Sequence, residues 1–99
     1  MKQLINCLGR LFKKDTRYKV LTCKQTSFQH PSEWNVYTRD NEHIYIRYNY
    51  GILEVVANAF GEEPKTLLVV EYGGSFDGVL SFEKLQALTK HIIKWKTCV

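Results

Sequence analysis

The chain has 99 residues, of which 44% are hydrophobic and 13% are aromatic, and its formal net charge is +4. This length predicts one domain over residues 1–99 with a core of its own, and the apolar content excludes a disordered chain. The small positive charge is compatible with a protein, a nucleic acid or an anionic membrane as partner, and it selects none of them.

The three cysteines, Cys7, Cys23 and Cys98, lie far apart in the sequence. An odd number without paired spacing argues against a disulfide framework and a zinc site, and favours a reducing, cytoplasmic location. The first residues lack the apolar run and small-residue cleavage site of a signal peptide. No stretch reaches the roughly 20 apolar residues that span a bilayer, so we expect no membrane span.

Residues 3–13 have the pattern of an amphipathic helix, with apolar side chains at helical spacing and basic side chains opposite. Such a helix could lie on an anionic membrane or pack on the rest of the domain. We favour packing on the domain, because a short isolated helix is marginal in water.

Alternation of apolar and polar residues is the main signal in the middle of the chain. It predicts strands over 18–24, 34–39, 43–49 and 52–60, with a fifth strand at 66–72. The fifth is apolar on both faces, which is typical of a central strand or of one covered on both sides.

The last segment, Ser81 to Lys96, has the strongest helical pattern. Ser81 is placed to cap the first turn, and Glu83 suits the positive end of the helix dipole. The order of elements predicts an α+β fold with an N-terminal helix, about five mostly antiparallel strands and a C-terminal helix packed on the sheet.

The hairpin formed by 43–49 and 52–60 has one register that places apolar residues on one face and polar residues on the other. Placing Arg47 opposite Glu54 collects the apolar residues on the other face, whereas a one-residue slip mixes the two. For the connection we favour a four-residue loop with Gly51 alone left-handed, since a two-residue turn would need positive φ at Tyr50.

The preceding hairpin is less clearly determined. A three-residue loop at 40–42 would set Trp34 opposite Tyr48 and Val36 opposite Ile46, which keeps polar and apolar residues apart. A two-residue loop would move Trp34 and Val36 to the other face. We take the first pairing because it sorts the residues better.

In this register the polar face of the sheet is rich in tyrosine and arginine. These residue types are enriched at protein-binding hot spots, and they also stack on the bases of single-stranded nucleic acids. A plain solvated face is the alternative, because tyrosine forms strands well. The candidate partner-binding residues are Tyr37, Arg39, Tyr45, Arg47 and Glu54.

A second candidate surface is the basic side of the last predicted helix. Nucleic-acid binding needs such a cluster of positive charge, although lysines on a helix often serve only solubility. The candidate nucleic-acid-binding residues are Lys84, Lys90, Lys94 and Lys96.

The sequence contains no catalytic or metal-binding signature. The histidines are His30, His43 and His91. None lies at metal-ligand spacing from another, and none pairs locally with a cysteine or carboxylate in a known signature, so we expect no metal site and no cofactor. We therefore expect a non-enzymatic protein-binding module, of the neutralising kind found among immunity proteins, antitoxins and phage-type inhibitors. The alternative is a small RNA- or DNA-binding protein that uses the basic helices or the tyrosine and arginine face. The oligomeric state stays open.

Overall fold

The computed structural model describes residues 15–95. Strands make up 49% of this part of the chain and helix makes up 10%. The elements in chain order are β1 (Tyr18–Phe28), β2 (Ser32–Thr38), β3 (His43–Asn49), β4 (Ile52–Ala57), β5 (Lys65–Glu71), α1 (Phe82–Thr89) and β6 (Ile93–Lys94).

The predicted α+β fold is wrong. The described residues form a mostly β structure in which one six-stranded sheet curls into a half-barrel and a single short helix lies near its C-terminal end. The predicted N-terminal helix at 3–13 lies outside the described residues. The predicted C-terminal helix is only half as long as expected, because the chain turns after Thr89 and rejoins the sheet as β6.

The strand order across the sheet is β5-β4-β3-β2-β1-β6. Neighbours are antiparallel except for β1 and β6, which run parallel with Tyr18 opposite Ile93. The apolar strand β5 is therefore an edge strand of the described sheet, so the first of its two predicted alternatives, a central strand, is wrong.

The predicted register of the β3–β4 hairpin is confirmed, with Arg47 opposite Glu54. The predicted four-residue loop is wrong, since pairing continues to Asn49 and Ile52 and leaves a two-residue turn. Tyr50 has a φ of 54° and Gly51 a φ of 74°. This geometry matches the twist of the strands, which offsets the cost of a left-handed tyrosine.

The β2–β3 hairpin shows a different error. Trp34 lies opposite Ile46, and Val36 lies opposite Ile44, two residues away from the predicted partners. The connection is the four-residue segment 39–42. A shift of two residues keeps every side chain on its face, so Trp34 and Val36 are buried in the core as expected.

The concave face of the half-barrel holds the core, and we call the opposite face of β2, β3 and β4 the outer face. Segment 72–80 crosses one end of the sheet from β5 to α1, and the Tyr48 hydroxyl donates a hydrogen bond to the Tyr72 carbonyl. The helix adds Leu85, which is fully buried. The buried apolar residues are Val20, Trp34, Val36, Ile44, Ile46, Tyr48, Leu53, Val55, Ala57, Leu80, Leu85 and Ile93.

Helix α1 begins as predicted and ends early. The Ser81 hydroxyl accepts a hydrogen bond from the Lys84 N–H at 3.1 Å, as expected of an N-cap. At the other end the Thr89 hydroxyl donates to the Leu85 carbonyl at 2.8 Å and accepts from Trp95 Nε1 at 2.9 Å. These contacts tie the turn after the helix back onto it.

Candidate functional site

Four of the five candidate partner-binding residues lie on the outer face. Tyr37, Tyr45, Arg47 and Glu54 alternate with core residues along β2, β3 and β4. Arg39 differs from the prediction: it lies in the connection after β2, exposed, with its N–H donating to the Lys19 carbonyl at 2.9 Å. The structure therefore brings four of the predicted residues together and leaves Arg39 at the margin.

Aromatic rings on this face form one connected row. Tyr37 stacks on His43 with ring centroids 5.0 Å apart, and His43 stacks on Phe60 at 5.6 Å. Phe60 also contacts Tyr45 in a tilted arrangement at 5.3 Å. Phe60 is 75% exposed and Tyr37 is 49% exposed. We call these four residues the aromatic row.

Phe60 reaches the face because the chain turns sharply after β4. Asn58 has a φ of 55°, its N–H donates to the His43 carbonyl at 2.7 Å, and its own carbonyl accepts from Gly61 N–H at 3.0 Å. Asparagine tolerates this left-handed conformation better than most residues. The sequence predicted a strand through 60, so it missed Phe60, although asparagine and glycine three residues apart are a turn signal.

Two polar contacts hold the row in place. His43 Nε2 lies 2.6 Å from Asn35 Oδ1, and the Tyr45 hydroxyl donates to Glu33 Oε2 at 2.6 Å. Burial, together with this bond to the Glu33 carboxylate, raises the pKa of Tyr45 to about 12. Sequence reasoning missed Glu33 and Asn35, which share the face with Tyr37 through simple alternation.

Arg47 and Glu54 are directly opposite each other in the register, as predicted. No ion pair joins them, however, and neither side chain pairs with another charged residue within 15–95. Arg47 is half-buried beside Tyr45. Within the described residues the outer face therefore carries a guanidinium and a carboxylate that form no ion pair.

An open cavity of about 490 Å³ adjoins one end of the aromatic row. It lies where the connections 39–42 and 58–64 meet, and His43 belongs to both the cavity and the row. Glu42, Glu63 and Lys65 also line it. The surface beside the rings is thus concave, which suits the insertion of a partner's side chain.

Among the described lysines predicted for the basic side of the last helix, Lys84 is the one that lies on α1. Lys84 lies over the Tyr72 ring, 5.4 Å from its centroid, whereas Lys90 and Lys94 follow the end of α1. The Lys90 carbonyl accepts from Arg17 Nη1 at 2.9 Å, and Lys94 Nζ lies 3.9 Å from an Asp15 oxygen. Lys96 lies outside the described residues.

Comparison with protein-family models, with curated proteins and with solved structures finds no match to this chain. Over residues 15–95, no group of three or more histidine, cysteine, aspartate or glutamate side chains could hold a metal ion. The one helix of the described part is too short to cross a membrane. Interpretation of the site therefore depends on its geometry alone.

Proposed function

We propose that this chain is a non-enzymatic protein-binding module that docks its partner on the outer face. The observation that supports this most is the exposed Phe60, which packs in the aromatic row near an Arg47 that forms no ion pair within residues 15–95. Large aromatic side chains and arginine supply most of the affinity at protein interfaces. Arg47 lies on strand β3, and Phe60 lies in a turn that is hydrogen-bonded to β3 through Asn58, so ordering these side chains on binding costs little entropy.

The chemistry of the face specifies the kind of protein segment that it suits. Phe60 and Tyr37 offer ring surface to an apolar or aromatic side chain, and the adjoining cavity gives that side chain room. Arg47 offers forked donors to a carboxylate. The partner segment should therefore combine an aspartate or glutamate with a large apolar residue nearby.

Charge favours a protein over a nucleic acid on this face. Glu33 and Glu54 lie among the rings, and carboxylates there repel phosphates. The lysines that nucleic-acid binding would use are dispersed between the helix and β6 instead of forming one stripe. The exposed rings could still stack on the bases of a single-stranded nucleic acid. Binding of such a nucleic acid is therefore tested separately below.

A neutralising role, such as that of an immunity protein, an antitoxin or a phage-type inhibitor, is the form of protein binding that we favour. Three features support this role: the small size of the chain, the exposed aromatic rings of the outer face, and a sequence without a catalytic signature. The partner would then be a protein whose activity falls when the outer face is occupied.

The partner can be sought with three baits: the unchanged protein, Phe60→Ala and Phe76→Ala. Phe76 is the matched control, because it is 88% exposed in the crossing segment, away from the aromatic row. A protein captured from the native host by the unchanged chain and by Phe76→Ala, and lost with Phe60→Ala, supports the proposal. Equal capture by all three baits refutes it.

Fluorescence anisotropy with single-stranded oligonucleotides at two salt concentrations tests whether the partner is a nucleic acid instead of a protein. Binding through lysine and arginine must weaken steeply with salt, because neutralised phosphates release counterions. Tight, salt-sensitive binding that Phe60→Ala abolishes would replace the protein partner with a nucleic acid on the same face.

A further inference from the structure

A groove opens on the concave face of the half-barrel, between β1 and the start of α1. Its volume is about 300 Å³, and it is lined by Cys23, Gln25, Trp34 and Phe82. In the register of β1 and β2, Gln25 lies opposite Trp34. Residues directly opposite each other in an antiparallel pair lie on one face of the sheet, so both strands present core-facing side chains to this groove.

The side chains of the groove are mainly apolar and only partly covered. Phe82 is 41% exposed, although its ring packs edge-on against Trp95 with centroids 5.3 Å apart. Cys23 packs against the buried cluster and is itself partly buried. Gln25 Nε2 already donates to the Ser27 carbonyl at 3.2 Å. The groove therefore suits an apolar occupant.

We propose that residues 3–13, called the N-terminal segment, fill this groove as a helix whose apolar stripe contacts Cys23 and Phe82. The stripe consists of Leu4, Ile5, Leu8, Leu11 and Phe12. Amphipathic helices bury such stripes in apolar grooves. The proposal concerns the core side of the sheet and does not depend on the function assigned to the outer face.

The point at which the described part begins restricts where this segment can pack. Arg17 Nη1 donates to the Lys90 carbonyl at 2.9 Å, so β1 starts beside the end of α1. Lys14 is the single residue between the N-terminal segment and Asp15. Two Cα–Cα steps of about 3.8 Å keep the end of the segment within about 8 Å of Asp15. The segment must therefore pack close to the start of β1.

The length of the N-terminal segment matches the distance from that point to the groove. A strand rises about 3.3 Å per residue, so Cys23 lies about 17 Å along β1 from Tyr18. A helix over 3–13 is also about 17 Å long, at about 1.5 Å per residue. A helix that runs back along β1 from Asp15 therefore extends over the groove.

The composition of the segment also favours this groove. A second cavity near the start of β1, which Tyr18 lines, is bordered mainly by polar and charged side chains and gives an apolar stripe little to pack against. Residues 1–14 carry the whole net charge of +4, and residues 15–99 sum to zero, so the rest of the chain does not repel the basic side of the helix. Glu83, exposed beside Phe82 in the first turn of α1, offers that side a carboxylate.

Alkylation of Cys23 in the full chain tests the occupant, in a background whose Cys7 and Cys98 are serine. Leu8→Asp places a carboxylate at the centre of the apolar stripe, and Asn6→Asp, the matched control, places one on the opposite side of the same helix. We expect iodoacetamide to modify Cys23 about fivefold or more faster in Leu8→Asp than in Asn6→Asp, because the thiol becomes more accessible when the segment leaves the groove. Equal rates in the two variants would overturn the proposal.

A proximity measurement covers the case in which Leu8→Asp destabilises the whole domain. A nitroxide on Cys7, with the other two cysteines replaced by serine, should broaden the amide NMR signals of Gln25 and Phe82. It should spare the signal of Val69, which lies on β5 at the far edge of the sheet. Sharp signals at both groove residues would contradict the docking of the segment there.

Two other arrangements give distinct results. We expect the unchanged protein to stay in solution on sedimentation with vesicles that contain an anionic phospholipid. Vesicle binding that Leu8→Asp abolishes and Asn6→Asp keeps would assign the stripe to a membrane and overturn the proposal. Removal of residues 97–99 should leave the alkylation rate of Cys23 unchanged. A rate that rises on this removal, and not with Leu8→Asp, would assign the groove to the C-terminal residues instead.

Discussion

Ser32 joins the start of β2 to the segment that crosses the end of the sheet, and its removal should be costly. The residue is fully buried. Its hydroxyl lies 2.7 Å from the Phe28 carbonyl and 3.1 Å from the Gly78 carbonyl, and it accepts a hydrogen bond from the Leu80 N–H at 3.1 Å. Ser32→Ala would leave that buried N–H without its partner, because a methyl group cannot accept.

The size of the loss follows from the partners left behind. The Gly78 carbonyl keeps a bond from the His30 N–H at 2.8 Å, so it remains satisfied. The Leu80 N–H loses the Ser32 hydroxyl as its acceptor, and an unsatisfied buried group costs about 1–3 kcal/mol. Adding the bond that the Ser32 hydroxyl donates, worth about 1 kcal/mol, gives an expected loss of about 2–4 kcal/mol.

Urea unfolding of Ser32→Ala measures this loss. With a urea dependence of about 2 kcal/mol per molar, typical of a small protein, the midpoint should fall by about 1–2 M with the slope unchanged. Ser75→Ala is the control, because Ser75 is exposed in the same crossing segment, and it should stay within about 0.5 kcal/mol of the unchanged protein. If the free energy of unfolding of Ser32→Ala also stayed within about 0.5 kcal/mol of the unchanged protein, the Ser32 hydroxyl would not hold the crossing segment to the sheet.

Three further predictions concern stability and reactivity. Leu85→Ala should cost about 2–5 kcal/mol in urea melts, whereas Leu88→Ala, which removes a partly buried side chain, should cost about 1–2 kcal/mol; equal losses would contradict the orientation of α1. Burial raises the pKa of the Cys23 thiol to about 11, so in a variant whose other cysteines are serine, alkylation near neutral pH should be at least about tenfold slower than for an exposed thiol. Hydrogen bonds from Arg17 hold the pKa of Asp15 well below its usual range; its contribution to stability is therefore complete above about pH 4 and is lost as the pH falls toward the lowered value. Urea melts on both sides of that pH should show a drop that Asp15→Asn lacks, and an equal drop in Asp15→Asn would argue against it.

The hairpin of β3 and β4 shows what local pattern can predict. Its register was predictable because a one-residue slip moves every side chain to the other face. The turn was not, since the sequence argument avoided positive φ at Tyr50 and so chose a longer loop. The structure keeps that pair with Tyr50 at a φ of 54°, at a local cost of about 1–2 kcal/mol.

The end of α1 depends on contacts that no local window contains. Ile92 and Trp95 continue the helical spacing, so the periodicity predicted helix to Lys96. The chain leaves the helix because Ile93 is buried beside β1, where it pairs with Tyr18. In addition, Arg17 Nη1 donates a hydrogen bond to the Lys90 carbonyl. These partners are more than 70 residues away in sequence, and such tertiary pairing overrides local propensity.

Only the part of the candidate site that lies on strands was predictable from the sequence. Alternation along β3 placed Tyr45 and Arg47 on the outer face, and the structure agrees. Alternation could not find Phe60, because the ring returns to the face through the turn at Asn58 and not through a strand. The most exposed ring of the face thus came from a segment that was interpreted as a continuation of β4.

The affinity of Phe60→Ala for the captured partner, measured by calorimetry beside Phe76→Ala, tests the outer face most directly. We expect Phe60→Ala to lose about 2 kcal/mol or more, which is about a thirtyfold weaker complex. Phe76→Ala should bind like the unchanged protein, and both variants should keep its melting temperature, since both rings are exposed. If Phe60→Ala bound as tightly as Phe76→Ala, the aromatic row would be only the solvated side of the sheet, and the partner would dock elsewhere.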